Sequence, residues 1–196
     1  RALLHEPSSG SCAHGVERWR SNCGCTTGGH DGWNQKWRKP LREAVNRLKE
    51  VLDSHSFEAG MVVFNDPEAA LLAFGKVMAN QDKGRSFARG HVIQGRGKVA
   101  WLLLHMQESG LAAFASCAWF FDDISRLEPV KAMSFALRAM QLCVLTGGPD
   151  LTAELEKILE EARSNKPEEG SGKRIFEKRV LPSQQDYASP VPYTHP

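Results

Sequence analysis

Three thiols and one imidazole stand close together near the start of the chain, in Ser11-Cys12-Ala13-His14 and Cys23-Gly24-Cys25. Cysteine thiolates and a neutral imidazole are the donors of a tetrahedral Cys3His zinc site. The spacing argues the other way, since one residue separates the members of each pair and zinc pairs are usually separated by two to four. Two further readings fit the same residues. Cys12, Cys23 and Cys25 can be reduced thiols packed beside a hydrogen-bonded His14, or redox-sensitive cysteines whose thiolates are favoured by Arg18 and Arg20.

A second chemical feature follows in Gly28-Gly29-His30-Asp31-Gly32-Trp33-Asn34-Gln35-Lys36-Trp37-Arg38. Trp33 and Trp37 are four apart and share a face if a helix has begun there. Flat rings flanked by Asn, Gln, Asp and Arg suit a sugar, whose C–H faces stack while its hydroxyls hydrogen-bond. The plainer reading is that both rings pack the first helix onto its neighbours. A third feature is Ser116-Cys117-Ala118-Trp119-Phe120-Phe121-Asp122-Asp123-Ile124, where two acids directly follow an apolar run. They can cap a helix, pair with an arginine, or face a cleft and bind a hydroxyl or a metal. Sequence neighbours do not suit the two opposed carboxylates of a glycosidase, so no catalytic residue is assigned.

Other motifs are incomplete. His5-Glu6 lacks the second histidine of a zinc-protease helix, and Gly90 to Gly97 lacks the Lys-Ser or Lys-Thr of a phosphate loop. No Gly-x-Ser-x-Gly elbow occurs. His55, His91 and His105 read as surface or internally bonded histidines.

The 196 residues fit one domain with ragged ends and can bury a core without disulfides. The 25 basic and 23 acidic residues leave a net charge of +2, which argues against a nucleic-acid partner. The most apolar run, Leu111 to Phe121, is shorter than the roughly 20 residues of a membrane span, so no membrane partner is expected. Five cysteines, unevenly placed, suit a reducing compartment and a cytoplasmic location better than a secreted scaffold. The opening Arg1-Ala2-Leu3-Leu4-His5, without initiator Met or signal peptide, reads as an excerpt of a longer protein.

Period and punctuation predict an all-α helical bundle over 36–165, an irregular Cys/Gly/Trp-rich loop region over 1–35 packed on it, and a linker or disordered, truncated tail over 166–196. The first helix begins near Pro40 with Leu41, Val45, Leu48, Val51 and Leu52 on one face. Asp66 caps and Pro67 opens a second, with Ala70, Leu71, Phe74, Val77 and Met78 inward. Asn80 to Gly97 reads as an exposed loop. Val99 to Phe121 is helical with Gly110 as a break or close-packing point, and Val130, Met133, Leu137, Met140 and Val144 mark a further helix ending at Gly147-Gly148. Asp150 caps a last helix bearing Leu151, Leu155, Ile158, Leu159 and Ala162. Lys173 to Val180 reads as a short extended segment.

Four ordered motifs then carry a resemblance: Ser11 to Arg20, Cys23-Gly24-Cys25, Gly32-Trp33-Asn34-Gln35, and Ser116 to Ile124. Together they resemble an uncharacterised helical domain attached to bacterial proteins of the family-57 glycoside hydrolase type, over roughly residues 1 to 180. Gly10 stands where that domain would have an aromatic residue, and the resemblance stops at Ser183. It implies an upstream catalytic barrel in the same polypeptide, acting on α-glucans with its own carboxylates, and a helical part lining the cleft. On that reading Trp33, Trp37, Trp119, Asp122 and Asp123 lie near an oligosaccharide, no cofactor is required, and none of these residues is catalytic. The alternative is a structural or interaction module stabilised by a metal, zinc being the candidate, on Cys12, His14, Cys23 and Cys25. Both can hold at once, because a stapled loop is able to position the tryptophans.

Overall fold

The computed structural model describes residues 12–79 and 84–186. Among them there is no sheet, only isolated antiparallel bridges at Phe64–Val92 and Arg163–Ser171, and the fold is all-α as expected. The helices are α1 (Arg38–Gly60), α2 (Pro67–Ala79), α3 (Gly84–His91), α4 (Gly97–Ala112), α5 (Cys117–Phe120), α6 (Leu127–Leu145), α7 (Thr152–Leu159) and α8 (Gly172–Ile175). The last continues through a π turn, Phe176–Val180, and a 3-10 turn, Leu181–Asp186.

The long α1 is the central element because its apolar stripe is continuous. Leu41, Val45, Leu48 and Leu52 recur at steps of three and four and are all buried. It packs against α4, α6 and α7, while α4 lies along α6. Gly110 is a point of close approach: a side chain there would stand 2.7 Å from Leu52 Cδ1. One turn earlier the buried Gln107 donates to Leu52 O at 3.1 Å, which ties the same two helices. Val130, Met133, Leu137 and Met140 face inward from α6. That helix ends where Gly147 takes φ 88°. As predicted, Asp66 Oδ1 accepts from Ala69 N and Asp150 Oδ1 accepts from Thr152 N.

Several expectations are corrected. Leu71, Met78 and Val144 are 39%, 51% and 48% exposed, because neighbouring elements cover only part of each helix circumference. The region 80–97 is not simply a loop: α3 forms across Gly84–His91 and buries Phe87 against Phe74 and Trp101. Lys173 to Val180 is helical rather than extended, and the domain does not end at 165. Ser171 caps α8, and Ile175, Phe176 and Val180 enter the core. Charged and glycine neighbours hide these apolar residues from a composition count. The rest of the expected tail, 187–196, lies outside the described residues, as do 1–11. No helix among the described residues is long and apolar enough to cross a membrane.

Phe176 distinguishes a closing helix from a tail. Phe176→Ala is expected to lower stability by about 3–5 kcal/mol, as for a core aromatic. Denaturant unfolding measures this, and a change below about 0.5 kcal/mol would mark the segment as surface.

Candidate metal centre

Residues 12–37 contain only a single 3-10 turn, Glu17–Trp19, yet they bring four ligand atoms together. Cys12 Sγ lies 3.8 Å from Cys23 Sγ, 3.5 Å from Cys25 Sγ and 3.6 Å from His14 Nδ1. Cys25 Sγ lies 3.5 Å from His14 Nδ1, and all four atoms are within 4.8 Å of one another. Gly15 at φ 69° and Gly24 at φ 79° turn the chain in each half, in a left-handed region that only glycine enters freely. These turns are why one-residue spacing can still converge. Between the halves, Glu17 accepts from Arg20 Nε at 2.8 Å and from Ser21 Oγ at 2.7 Å, which fixes the intervening turn.

Burial raises the Cys12 thiol, but bonds from the His14 N–H, the His14 ring and the other two thiols outweigh it and bring it down to about 6. Cys25 is pushed up to about 11, first by its bond to Cys12 and then by burial. The cluster by itself thus favours one thiolate and opposes the next.

The segment is docked on the other end of the sequence. Asp122, 8% exposed, accepts from Thr27 N at 3.0 and 3.1 Å and from Thr27 Oγ1 at 2.9 Å. The fully buried Asp123 accepts from Ser125 N at 2.8 Å, Ser164 Oγ at 2.8 Å and Asn165 N at 2.6 Å. Asn165 closes the junction by donating to Asn34 O at 2.9 Å and Asp122 O at 3.0 Å. Arg18 is buried, donates to Phe120 O at 2.8 Å and lies 4.2 Å over the Phe120 ring.

Four residues expected near a sugar therefore have internal roles. Trp37 and Trp119 are fully buried, and their indole N–H groups donate to Gln35 Oε1 and Arg38 O, each at 3.0 Å. Their rings have no face left for a ligand. Asp122 and Asp123 are occupied with backbone and hydroxyl donors. Trp33 alone is part-exposed, with its ring 4.2 Å from that of the exposed His30. His55 bonds Thr146, His105 bonds Glu108, and His91 stacks on Phe87, so of the surface and internal placements left open for them the internal one is found.

Sequence reading missed Arg38. It is fully buried, with Nη1 3.8 Å from Cys23 Sγ and Nη2 3.4 Å from Phe121 O. Burial pulls its guanidinium below the ordinary arginine range, and the neighbouring Cys23 opposes that pull. A signal was present: positions 38, 41, 45, 48 and 52 form one stripe, so Arg38 occupies a core register of α1.

The model of a domain of unknown function (DUF3536) matches residues 33–191. The chain belongs to that family. The matched span takes in Trp33, the whole bundle, both aspartates and the closing helix, and the four candidate ligands precede it. It also runs past Ser183, where the motif resemblance stops. No curated protein and no solved structure matches the chain.

The aspartates give a direct test of their internal role. Asp123→Ala strands the buried Ser125 amide and two part-buried donors, the Ser164 hydroxyl and the Asn165 amide, and is expected to cost about 3 kcal/mol, at about 1–3 kcal/mol for each unsatisfied group and less for the part-buried ones. Asp122→Ala is expected to cost less and to speed hydrogen exchange at the Thr27 amide. Wild-type unfolding curves for both variants would contradict these assignments.

Proposed function

We propose that the chain is a structural module in which one zinc ion, held by Cys12, His14, Cys23 and Cys25, staples an irregular N-terminal segment onto the end of a helical bundle. The observation that carries this reading is the size of the ligand cage. A tetrahedral zinc, with Zn–S of about 2.3 Å and Zn–N of about 2.0–2.1 Å, has S–S edges of about 3.8 Å and S–N edges of about 3.6 Å. Four of the six edges of the cluster match, with Cys12–Cys25 and Cys12–Cys23 at 3.5 and 3.8 Å and Cys25–His14 and Cys12–His14 at 3.5 and 3.6 Å, and all four atoms lie within 4.8 Å of one another. Three soft sulfurs favour zinc over the oxygen-seeking magnesium, calcium or manganese. Four protein ligands leave no open position, which is the composition of a structural rather than a catalytic zinc site.

A second reading sets this module beside the barrel of a family-57-type α-glucan enzyme, with the barrel as its partner in the same polypeptide. The resemblance of the four motifs supports it, and so does their convergence. Arg18 of the first motif bonds Phe120 O of the fourth, and the fourth also bonds Thr27 and Arg38 through Asp122 and Trp119, residues that flank the second and third. Within this reading the sugar contact falls on Trp33, beside the exposed Asp31 and Asn34. The zinc-held segment would then set where that ring stands.

The purified full chain is expected to carry about one zinc by elemental mass spectrometry, the stoichiometry of a single tetrahedral site. Cys12, Cys23 and Cys25 are expected to resist alkylation while the exposed Cys117 reacts. Chelation is expected to free the N-terminal segment with most helical circular dichroism retained, since none of the four ligands is in the bundle core. Metal-free protein with uniformly reactive surface thiols would contradict the zinc reading. For the glucan reading, Trp33→Ala is expected to weaken malto-oligosaccharide binding about tenfold, or about 1.4 kcal/mol, with zinc content unchanged. Unchanged binding, or no binding by the wild-type chain joined to its barrel, would contradict it.

A further inference from the structure

A buried guanidinium keeps its charge at any pH a folded protein meets, and a charge removed from water needs an opposing one. Arg38 is 0% exposed and forms no ion pair with a carboxylate among the described residues. Its Nε has no hydrogen-bond partner, Nη2 has only the Phe121 carbonyl at 3.4 Å, and Nη1 is aimed at Cys23 Sγ at 3.8 Å. Asp122 is close enough for its charge to act on Arg38, but its two oxygens are turned to Thr27. The buried Arg18 adds repulsion instead of relief. The protein alone therefore leaves a buried cation short of a counter-charge, pointed at one sulfur of the cluster.

The proposed metal centre has the opposite imbalance. Zn2+ contributes two positive charges, three thiolates contribute three negative ones, and a neutral imidazole contributes none. We propose that Arg38 is the counter-ion of the metal centre: its guanidinium donates to Cys23 Sγ and balances the single net negative charge of a Zn2+ with three thiolates and one imidazole. This rests on the zinc reading above. Arg38 is then a positioning residue that holds the Cys23 sulfur at the correct place, as outer partners of metal ligands do. The coupling is reciprocal, because metal loss would leave the Arg38 charge buried and unpaired. It also gives the core-register arginine of α1 a reason: the first residue of the central helix is tied to the segment that the metal closes.

The test uses the full 196-residue chain and zinc or cobalt(II) as the probe, with affinity read by competition against a chromophoric chelator. Arg38→Gln is expected to lower zinc affinity by about 10–100-fold, the usual cost of losing an outer partner, and Arg38→Lys to recover part of that loss. The sulfur-to-cobalt charge-transfer band is expected to shift in Arg38→Gln, which a purely structural defect would not cause. A neutral centre supplies the control: with Cys23→His in place, Arg38→Gln is expected to cost no affinity. Should Arg38→Gln fail to fold, the wild-type protein loaded with 113Cd is read by NMR. There the Arg38 Nη protons are expected to be slowed in exchange and coupled to the cadmium. Equal zinc affinity of wild type and Arg38→Gln, or fast-exchanging uncoupled Nη protons, would overturn the role of Arg38 while the zinc reading stands. A wild-type chain that binds neither zinc nor cobalt would overturn both.

Discussion

A chain segment with no repeating hydrogen-bond pattern bonds its backbone only piecemeal, and residues 12–37, held internally by one 3-10 turn and a few isolated bonds, need contacts beyond themselves to be seated on the bundle. Two adjacent carboxylates organise much of that seat. Asp122 takes the Thr27 amide and hydroxyl, while Asp123 takes the Ser164 hydroxyl and the Asn165 amide. Their side chains fasten two irregular segments from opposite ends of the sequence to the short turn between α5 and α6. Asn165 then locks the two fastenings to each other through Asn34 and the Asp122 carbonyl. Remove this junction and the loop keeps only its other anchors on the bundle, chiefly Arg18 on the Phe120 carbonyl and Arg42 on the Trp19 carbonyl.

On that seat the loop carries a cluster of three sulfurs and a ring nitrogen, all within 4.8 Å of one another. Beneath it the bundle carries a buried arginine that lacks an anion. Each is unsatisfactory alone: clustered thiols resist multiple ionisation, and a desolvated guanidinium resists burial. On the proposed reading, a divalent cation bound by these ligands would remove both difficulties together. Such a mutual dependence would link the packing of α1 to the order of the loop, and through the loop to the placement of Trp33.

Much of the bundle is legible in the sequence because its signals are local. The 41-45-48-52 stripe, the Asp66-Pro67 start and the Gly147-Gly148 stop each act within a few residues, and each appears where its chemistry requires. Where the deciding contact is distant, local signals fail. Phe87 and Phe176 sit among glycines and charges, and only Phe74, Trp101 and the core around α6 reveal that their segments fold as helices. Trp37 and Trp119 read as ligand surfaces by type, and become core because Gln35 and the Arg38 carbonyl satisfy their N–H groups. The cluster residues are legible as ligand types, but their spacing misleads, since left-handed glycines at 15 and 24 fold the segment in a way a spacing rule does not register. Arg38 is the instructive omission: a charged residue in a core register marks a missing counter-charge.

The central claim is that these four side chains form one metal cage, and zinc K-edge X-ray absorption on the zinc-loaded chain tests it directly. The account predicts a first shell of three sulfurs at about 2.3 Å and one nitrogen at about 2.0–2.1 Å. A shell made only of nitrogen and oxygen, or one with fewer than three sulfurs, would contradict it.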